Sequence, residues 1–284
     1  MFSLILENKN GDQLTFGQNS PFTISEIQGL NPPDATINTS QVALIDGARF
    51  NSAKMNMRTI NVAFAIEYSA AYNRIEVFKV LKSKQYVKLY YNGDYRDVWI
   101  EGYIQKIDIA YFEKKQIVTC TILCPFPYFR EAQQIINEIE NIISAFHFPF
   151  ASTAELELVF GYLSDDVAVH VENNGDVECG LTIELYASTN VTNPKIWNYV
   201  SREFFGLNYQ LQQADLITIN TRQGEKTVTL LRNGVETNIF NYVMQGSTWL
   251  QLSPSGDTFV YEVETGNNAD LSVTFKHDNL FEGV

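Results

Sequence analysis

The chain is poor in the residues that most often do chemistry. Among its 284 residues are three cysteines and three histidines. His147, His170 and His277 lie far apart and fall into no metal-binding spacing. No Gly-x-Ser-x-Gly elbow, phosphate-cradling GxxxxGK[ST] loop or GxGxxG fingerprint occurs. Three cysteines cannot all pair within one chain. Cys120 and Cys124, four positions apart on an expected strand, would sit roughly 13 Å from each other, beyond disulfide reach. They share a face with Val118 and Ile122 and read as buried small hydrophobes, so neither a disulfide, a metal nor a cofactor is expected. No run approaches the roughly 20 apolar residues that cross a bilayer, so membrane insertion is not expected. The opening Met1-Phe2-Ser3-Leu4-Ile5-Leu6-Glu7 has no basic leader pattern and reads as a first strand, with synthesis and folding in a cytoplasm.

Basic charge is scarce as well. There are 20 Lys and Arg against 33 Asp and Glu, a net charge of −13, which argues against a general electrostatic grip on nucleic acid. The deficit is uneven. Residues 1–130 hold 14 basic and 12 acidic side chains, a net of +2, and residues 131–284 hold 6 and 21, a net of −15. Regions so different in charge are expected to meet different surroundings. Apolar residues, at 45%, are ample for a core, and the length suggests two domains.

The pattern is mainly β. Phe2–Glu7 and Gln13–Phe16 flank a turn containing Gly11, and Val42-Ala43-Leu44-Ile45 and Arg49-Phe50 flank Asp46-Gly47. Arg58–Glu67 alternates, with Ile60, Val62, Phe64 and Ile66 on one face. Ala71, Ile75, Phe78 and Leu81 then step by four, three and three, which predicts one helix. Tyr86–Tyr91 and Tyr95–Ile104 flank Asn92-Gly93-Asp94, the strongest hairpin signal, and a further turn lies at residues 112–115. Prolines 125 and 127 close the first region. Ala132, Ile135, Ile136, Ile139, Ile142 and Ile143 follow a period near 3.6, which predicts a short amphipathic helix or connector over residues 131–144, although β-branched isoleucines could also form a strand. Beyond them, short strands at residues 155–160, 167–172, 181–186, 215–220, 227–231, 249–252, 258–263 and 270–276 indicate an antiparallel sandwich. The expected organisation is a domain over 1–130, a connector over 131–145 and a β-sandwich over 146–284.

Three clusters invite a functional reading. The carboxylates Asp165-Asp166 and the Glu155/Glu157 pair could serve glycoside hydrolysis, but a solvated turn and a polar strand face explain them fully. Lys79, Lys82, Lys84 and Lys88 suit the negative end of the helix dipole. Trp197, Tyr199 and Trp249 could form a platform for a glycan, although such aromatics more often build a sandwich core. No enzyme is expected.

The order of residues adds a resemblance. Ser20-Pro21-Phe22-Thr23-Ile24 through Gly29-Leu30-Asn31-Pro32-Pro33 leads into Asp46-Gly47-Ala48-Arg49-Phe50, then Arg58-Thr59-Ile60-Asn61-Val62, then Cys124-Pro125-Phe126-Pro127-Tyr128. Residues 1–130 thereby resemble the N-terminal domain of distal tail proteins from long-tailed, non-contractile bacteriophages. The second region is similar to that family's C-terminal domain through Phe146–Phe150, Val171–Asp176, Asn193-Pro194-Lys195-Ile196, Asp215–Thr221 and Gly246–Leu252 onward to Phe281-Glu282-Gly283-Val284, with one inserted residue at Leu252–Asp257.

The resemblance implies an N-terminal sandwich or barrel-like domain with one helix and a C-terminal galectin-like or carbohydrate-module-like sandwich. It further implies a hexameric ring at the phage tail tip, joining the tail tube protein to tail-associated and receptor-binding proteins, and assembled in the bacterial host cytoplasm. No sequence-specific nucleic-acid contact is expected. For self-assembly the expected element is the hairpin of Val42, Leu44, Asp46, Gly47, Arg49 and Phe50. The alternative is a carbohydrate-binding protein recognising host-surface glycans through the C-terminal sandwich.

Overall fold

A computed structural model describes residues 3–17, 20–41, 46–113, 115–138, 142–144, 161–163 and 168–284. The chain divides into two compact units, residues 1–132 with 280–284, and residues 133–279. Both are mainly β and antiparallel, with one α-helix among the described residues.

In the first unit, β1 (Ser3–Asn8), β2 (Gln13–Phe16), β3 (Phe22–Gln28), β6 (Arg58–Ile66), β7 (Tyr86–Asn92), β8 (Asp97–Ile109) and β9 (Gln116–Cys124) form one sheet. Its order is β2-β1-β7-β8-β9-β6-β3. The alternation expected from Arg58 onward is present, and Ile60, Val62, Phe64 and Ile66 are all buried. They pack with Leu4, Leu6, Val87, Leu89, Ile100, Val118 and Ile122 from neighbouring strands. The sheet curls until its ends meet at an aromatic cluster. Phe16 of β2 and Phe22 of β3 stand 6.0 Å apart, and both rings lie within 6 Å of Phe64. Between β3 and β6 the chain makes a separate hairpin, β4 (Ala35–Ser40) with β5 (Arg49–Met55).

Arg58, 2% exposed, organises one end of this unit. Its guanidinium donates to the carbonyls of Pro127, Gly29, Asn31 and Glu282, and lies 4.4 Å above the Phe129 ring. Gly29 has φ +91°, and a Cβ there would stand 2.2 Å from the Thr59 carbonyl, so only glycine fits. The last strand, Leu280–Phe281, returns to pair with β10 (Phe129–Glu131), which no local pattern announced.

Helix α1 (Ala70–Val80) forms where its spacing predicts, but the stripe that marks it is not the one it buries. Asn73, Val77 and Val80 face the sheet, whereas Ala71, Ile75 and Phe78 are exposed and only Leu81, just past the helix, is buried from the expected stripe. The helix is apolar on two sides, and spacing alone does not say which side meets the core.

In the second unit, Ile135–Glu138 is a strand paired with Leu271–His277, correcting the helical reading of this isoleucine-rich segment. β-Branching prevailed over periodicity because a sheet edge was available. Ile142–Ser144 likewise pairs with Gly161–Leu163, and the strand expected at 155–160 lies outside the described residues. Ile135–Glu138 opens a six-stranded sheet that continues through Leu271–His277, Thr182–Ala187, Leu216–Asn220, Thr227–Arg232 and Val235–Asn238. A four-stranded sheet follows the order Ala168–Val171, Asp257–Glu262, Lys195–Asn198, Phe204–Gly206. Phe259 and Phe275, one from each sheet, stack at 4.8 Å and make this a sandwich.

Candidate functional site

The most exposed structure in the first unit is the β4–β5 hairpin. Its strands pair only with each other among the described residues. Register pairs Ala35 with Met55, Ile37 with Ala53 and Thr39 with Phe50, so the apolar side chains gather on one face. The other face pairs Thr36 with Lys54, Asn38 with Ser52 and Ser40 with Arg49. Side-chain hydrogen bonds Asn38–Ser52 and Ser40–Asn51 tie the arms together on the polar side. The apolar side is uncovered, with Ile37 59% and Phe50 61% exposed.

Of the residues expected to form the assembly hairpin, Arg49 and Phe50 lie on β5, and Asp46 and Gly47 are exposed in the loop before it. Val42 and Leu44 lie outside the described residues. The first arm is Ala35–Ser40, earlier in the chain than the Val42–Ile45 arm expected from sequence. Its Thr, Asn and Ser residues disguise a strand whose polar face is hydrated.

A second uncovered apolar surface lies on α1. Tyr72 and Ile75, three residues apart on the helix, are 66% and 64% exposed, and Tyr68 just before it is exposed too. Arg74 on the same helix lies 5.1 Å from the Tyr111 ring, beside fully exposed Phe112 at the β8–β9 turn. Contiguous apolar surface of this kind marks interaction sites.

Two of the four lysines near the helix end are engaged. Lys79 pairs with Asp12 at 2.9 Å, and Lys88 lies 3.5 Å above the Trp99 ring. Burial pushes the Cys120, Cys124 and Cys179 thiols up to about 12, which keeps them protonated and inert. Glu155, Glu157, Asp165, Asp166 and His147 lie outside the described residues.

The three aromatics of the expected glycan platform separate. Trp249 packs against Phe205 at 5.1 Å and Phe240 at 5.7 Å, away from the others. Trp197 and Tyr199 line one open groove together with Asn198, Arg202 and Val260. Val260 was not legible as a site residue, because only strand register brings it beside Trp197, and Arg202 lies in the short loop that follows that strand.

Two family models match, covering different parts of the chain. Residues 9–124 match the phage tail protein RIFT-related domain, and residues 174–278 match the C-terminal domain of the siphovirus-type tail component. Among solved structures, the chain is similar to the SPP1 Dit protein, whose crystal structure is described as a paradigm of the hub adsorption apparatus in phages infecting Gram-positive bacteria. Identity is 14% over 99% of each chain, with a TM-score of 0.70. It is also similar to a chain of the phage P2 baseplate in its activated conformation, with calcium (13% identity, TM-score 0.55) or strontium (13%, 0.56), over the full length of both chains. These likenesses establish the fold. No curated protein sequence matches. The fold and the two matched domains define a structural component of a phage tail. The chain belongs to the siphovirus-type distal tail (Dit) family, whose place is the tail tip of the virion.

Proposed function

We propose that this protein is the hub of the tail tip, a closed ring of six copies that joins the tail tube to the host-adsorption apparatus. The supporting observation is the β4–β5 hairpin, an isolated two-stranded ribbon with an uncovered apolar face. Such a ribbon is at best marginally stable in water and gains by lying against another surface. In a ring each copy offers one patch to a different patch on its neighbour, and the arm supplies one such patch. Its apolar face, with Ile37 and Phe50, covers the neighbour, and the Lys54, Ser52 and Arg49 face stays in water. The near-neutral first region suits close packing of copies, while the −15 of residues 131–284 makes packing that region against itself unfavourable. The role is structural, without a reaction of its own.

Native mass spectrometry of the full chain and of a variant with residues 36–54 replaced by a Gly-Ser linker tests the arm. The reading predicts loss of the ring with the rest of the first unit still folded by near-UV circular dichroism. An unchanged oligomer in the variant contradicts it.

A further inference from the structure

The outward face of the four-stranded sheet carries a row of side chains that the hub role does not use. Lys195–Asn198 alternates so that Ile196 and Asn198 are buried, and Lys195 and Trp197 face out. Asp257–Glu262 buries Phe259 and Tyr261 and turns Val260 and Glu262 outward. Register then sets Ala168, Val260, Trp197 and Phe204 side by side across the four strands. The Trp197 and Phe204 rings lie 4.9 Å apart at 40°.

The groove above this row, about 500 Å3, is bounded by a loop that the sequence holds rigid. Oδ1 of buried Asn198 accepts from the backbone amides of Val200 and Ser201, and its backbone carbonyl accepts from the Arg202 amide. Tyr199 is tied to the sheet by its amide, which donates to the Thr258 carbonyl at 2.8 Å. Arg202 occupies a left-handed conformation, φ 59°, that a non-glycine residue adopts at a cost and that recurs where a side chain is held for function. The Trp197 ring is oriented in turn, because its Nε1 donates to Glu262 Oε1 at 3.2 Å, the same oxygen that Lys195 approaches at 3.6 Å.

We propose that this groove binds an uncharged pyranose unit of a saccharide. A sugar ring offers a face of polarised C–H groups and a rim of hydroxyls. The electron-rich face of an indole attracts the former, and a guanidinium donates to the latter. Trp197 supplies the platform, Tyr199 and Val260 the walls and Arg202 the donor, with Glu262 holding the indole from beside the groove. The size lies within the range of small-molecule sites. Charge narrows the ligand. Lys195 and Arg202 against Glu262 leave no strong local field, and the −15 of the surrounding region repels an anionic polymer or a second acidic copy. The site lies within the second unit and does not depend on ring formation.

The test uses the full chain with methyl glycosides of glucose, galactose, rhamnose and N-acetylglucosamine as probes, and sialic acid as a charged control. Binding is read by saturation-transfer NMR and tryptophan fluorescence, with oligomeric state measured separately. At least one neutral glycoside should give a saturable response that Trp197→Ala weakens by about tenfold or more, the size of a hot-spot truncation. Tyr199→Ala and Arg202→Ala, at exposed positions, should weaken it too, and Trp249→Phe should not. The proposal is overturned if no neutral glycoside gives a saturable response, if sialic acid alone binds, or if both Trp197→Ala and Tyr199→Ala bind as the parent does.

Discussion

Arg58 donates from Nη2 to the backbone carbonyl of Glu282 at 2.6 Å, across 224 residues of sequence. The same guanidinium holds Gly29, Asn31 and Pro127, so one side chain gathers the end of β3, the start of β10 and the chain terminus. It does so by carbonyl oxygens and the face of Phe129, and desolvation pulls its pKa down. Arg58→Met keeps most of the volume and deprives four carbonyls of this donor. It should lower unfolding free energy by about 3 kcal/mol or more, since hydrogen bonds to charged groups exceed neutral ones and buried carbonyls are costly to strand. Guanidinium unfolding measures this, and Arg58→Lys should restore little of the loss, because an ammonium lacks the planar fork.

Asp215 and Arg232 form the corresponding anchor in the second unit. The almost fully buried Asp215 carboxylate accepts from Arg232 Nε at 2.8 Å and Nη2 at 2.5 Å, and from the Gln212 amide at 2.7 Å. The hydrogen bonds from Arg232 hold its pKa below the ordinary 3.8, against the opposing effect of burial. The unfolded chain therefore takes up this proton more readily than the folded one. The stabilisation is complete above the unfolded value and is lost as pH falls through the lower folded value. Asp215→Asn should cost about 2–3 kcal/mol at neutral pH. In urea unfolding at graded pH, the gap between the two proteins should narrow below pH 3.8. A gap unchanged down to about pH 2 would contradict the pairing.

Helix α1 carries apolar side chains on both a buried and an exposed side. Ile75→Asp and Tyr72→Asp change exposed positions and should leave thermal stability within about 0.5 kcal/mol of the parent. Val77→Asp buries a carboxylate without a partner and should unfold the first unit. If the exposed stripe is a contact between copies, sedimentation should show weaker self-association for the first two variants at unchanged melting temperature.

Much of the β pattern was legible because it is local. The Arg58–Ile66 strand shows its period of two, and the Asn92-Gly93 turn sits where β7 gives way to β8. What was not legible depends on partners distant in sequence. Ile75 and Val77 are both apolar residues on the same helix, and only the sheet beneath decides which is buried. Trp197 and Trp249 likewise look alike in sequence. Register with Val260 leaves one facing a groove, while the other packs against Phe205 and Phe240. The β4 arm was missed because its partner compensates for a polar strand, and the final strand because its partner is about 150 residues away.

The hub reading rests on placement and symmetry, and both are visible directly. Electron cryomicroscopy of tails assembled with this protein should show a closed six-fold ring of the first unit at the distal end of the tube, with the β4–β5 arm seated on the adjacent copy. A single copy at the tip, an open stack along the tube, or a ring whose β4–β5 arms touch no neighbour would contradict the account.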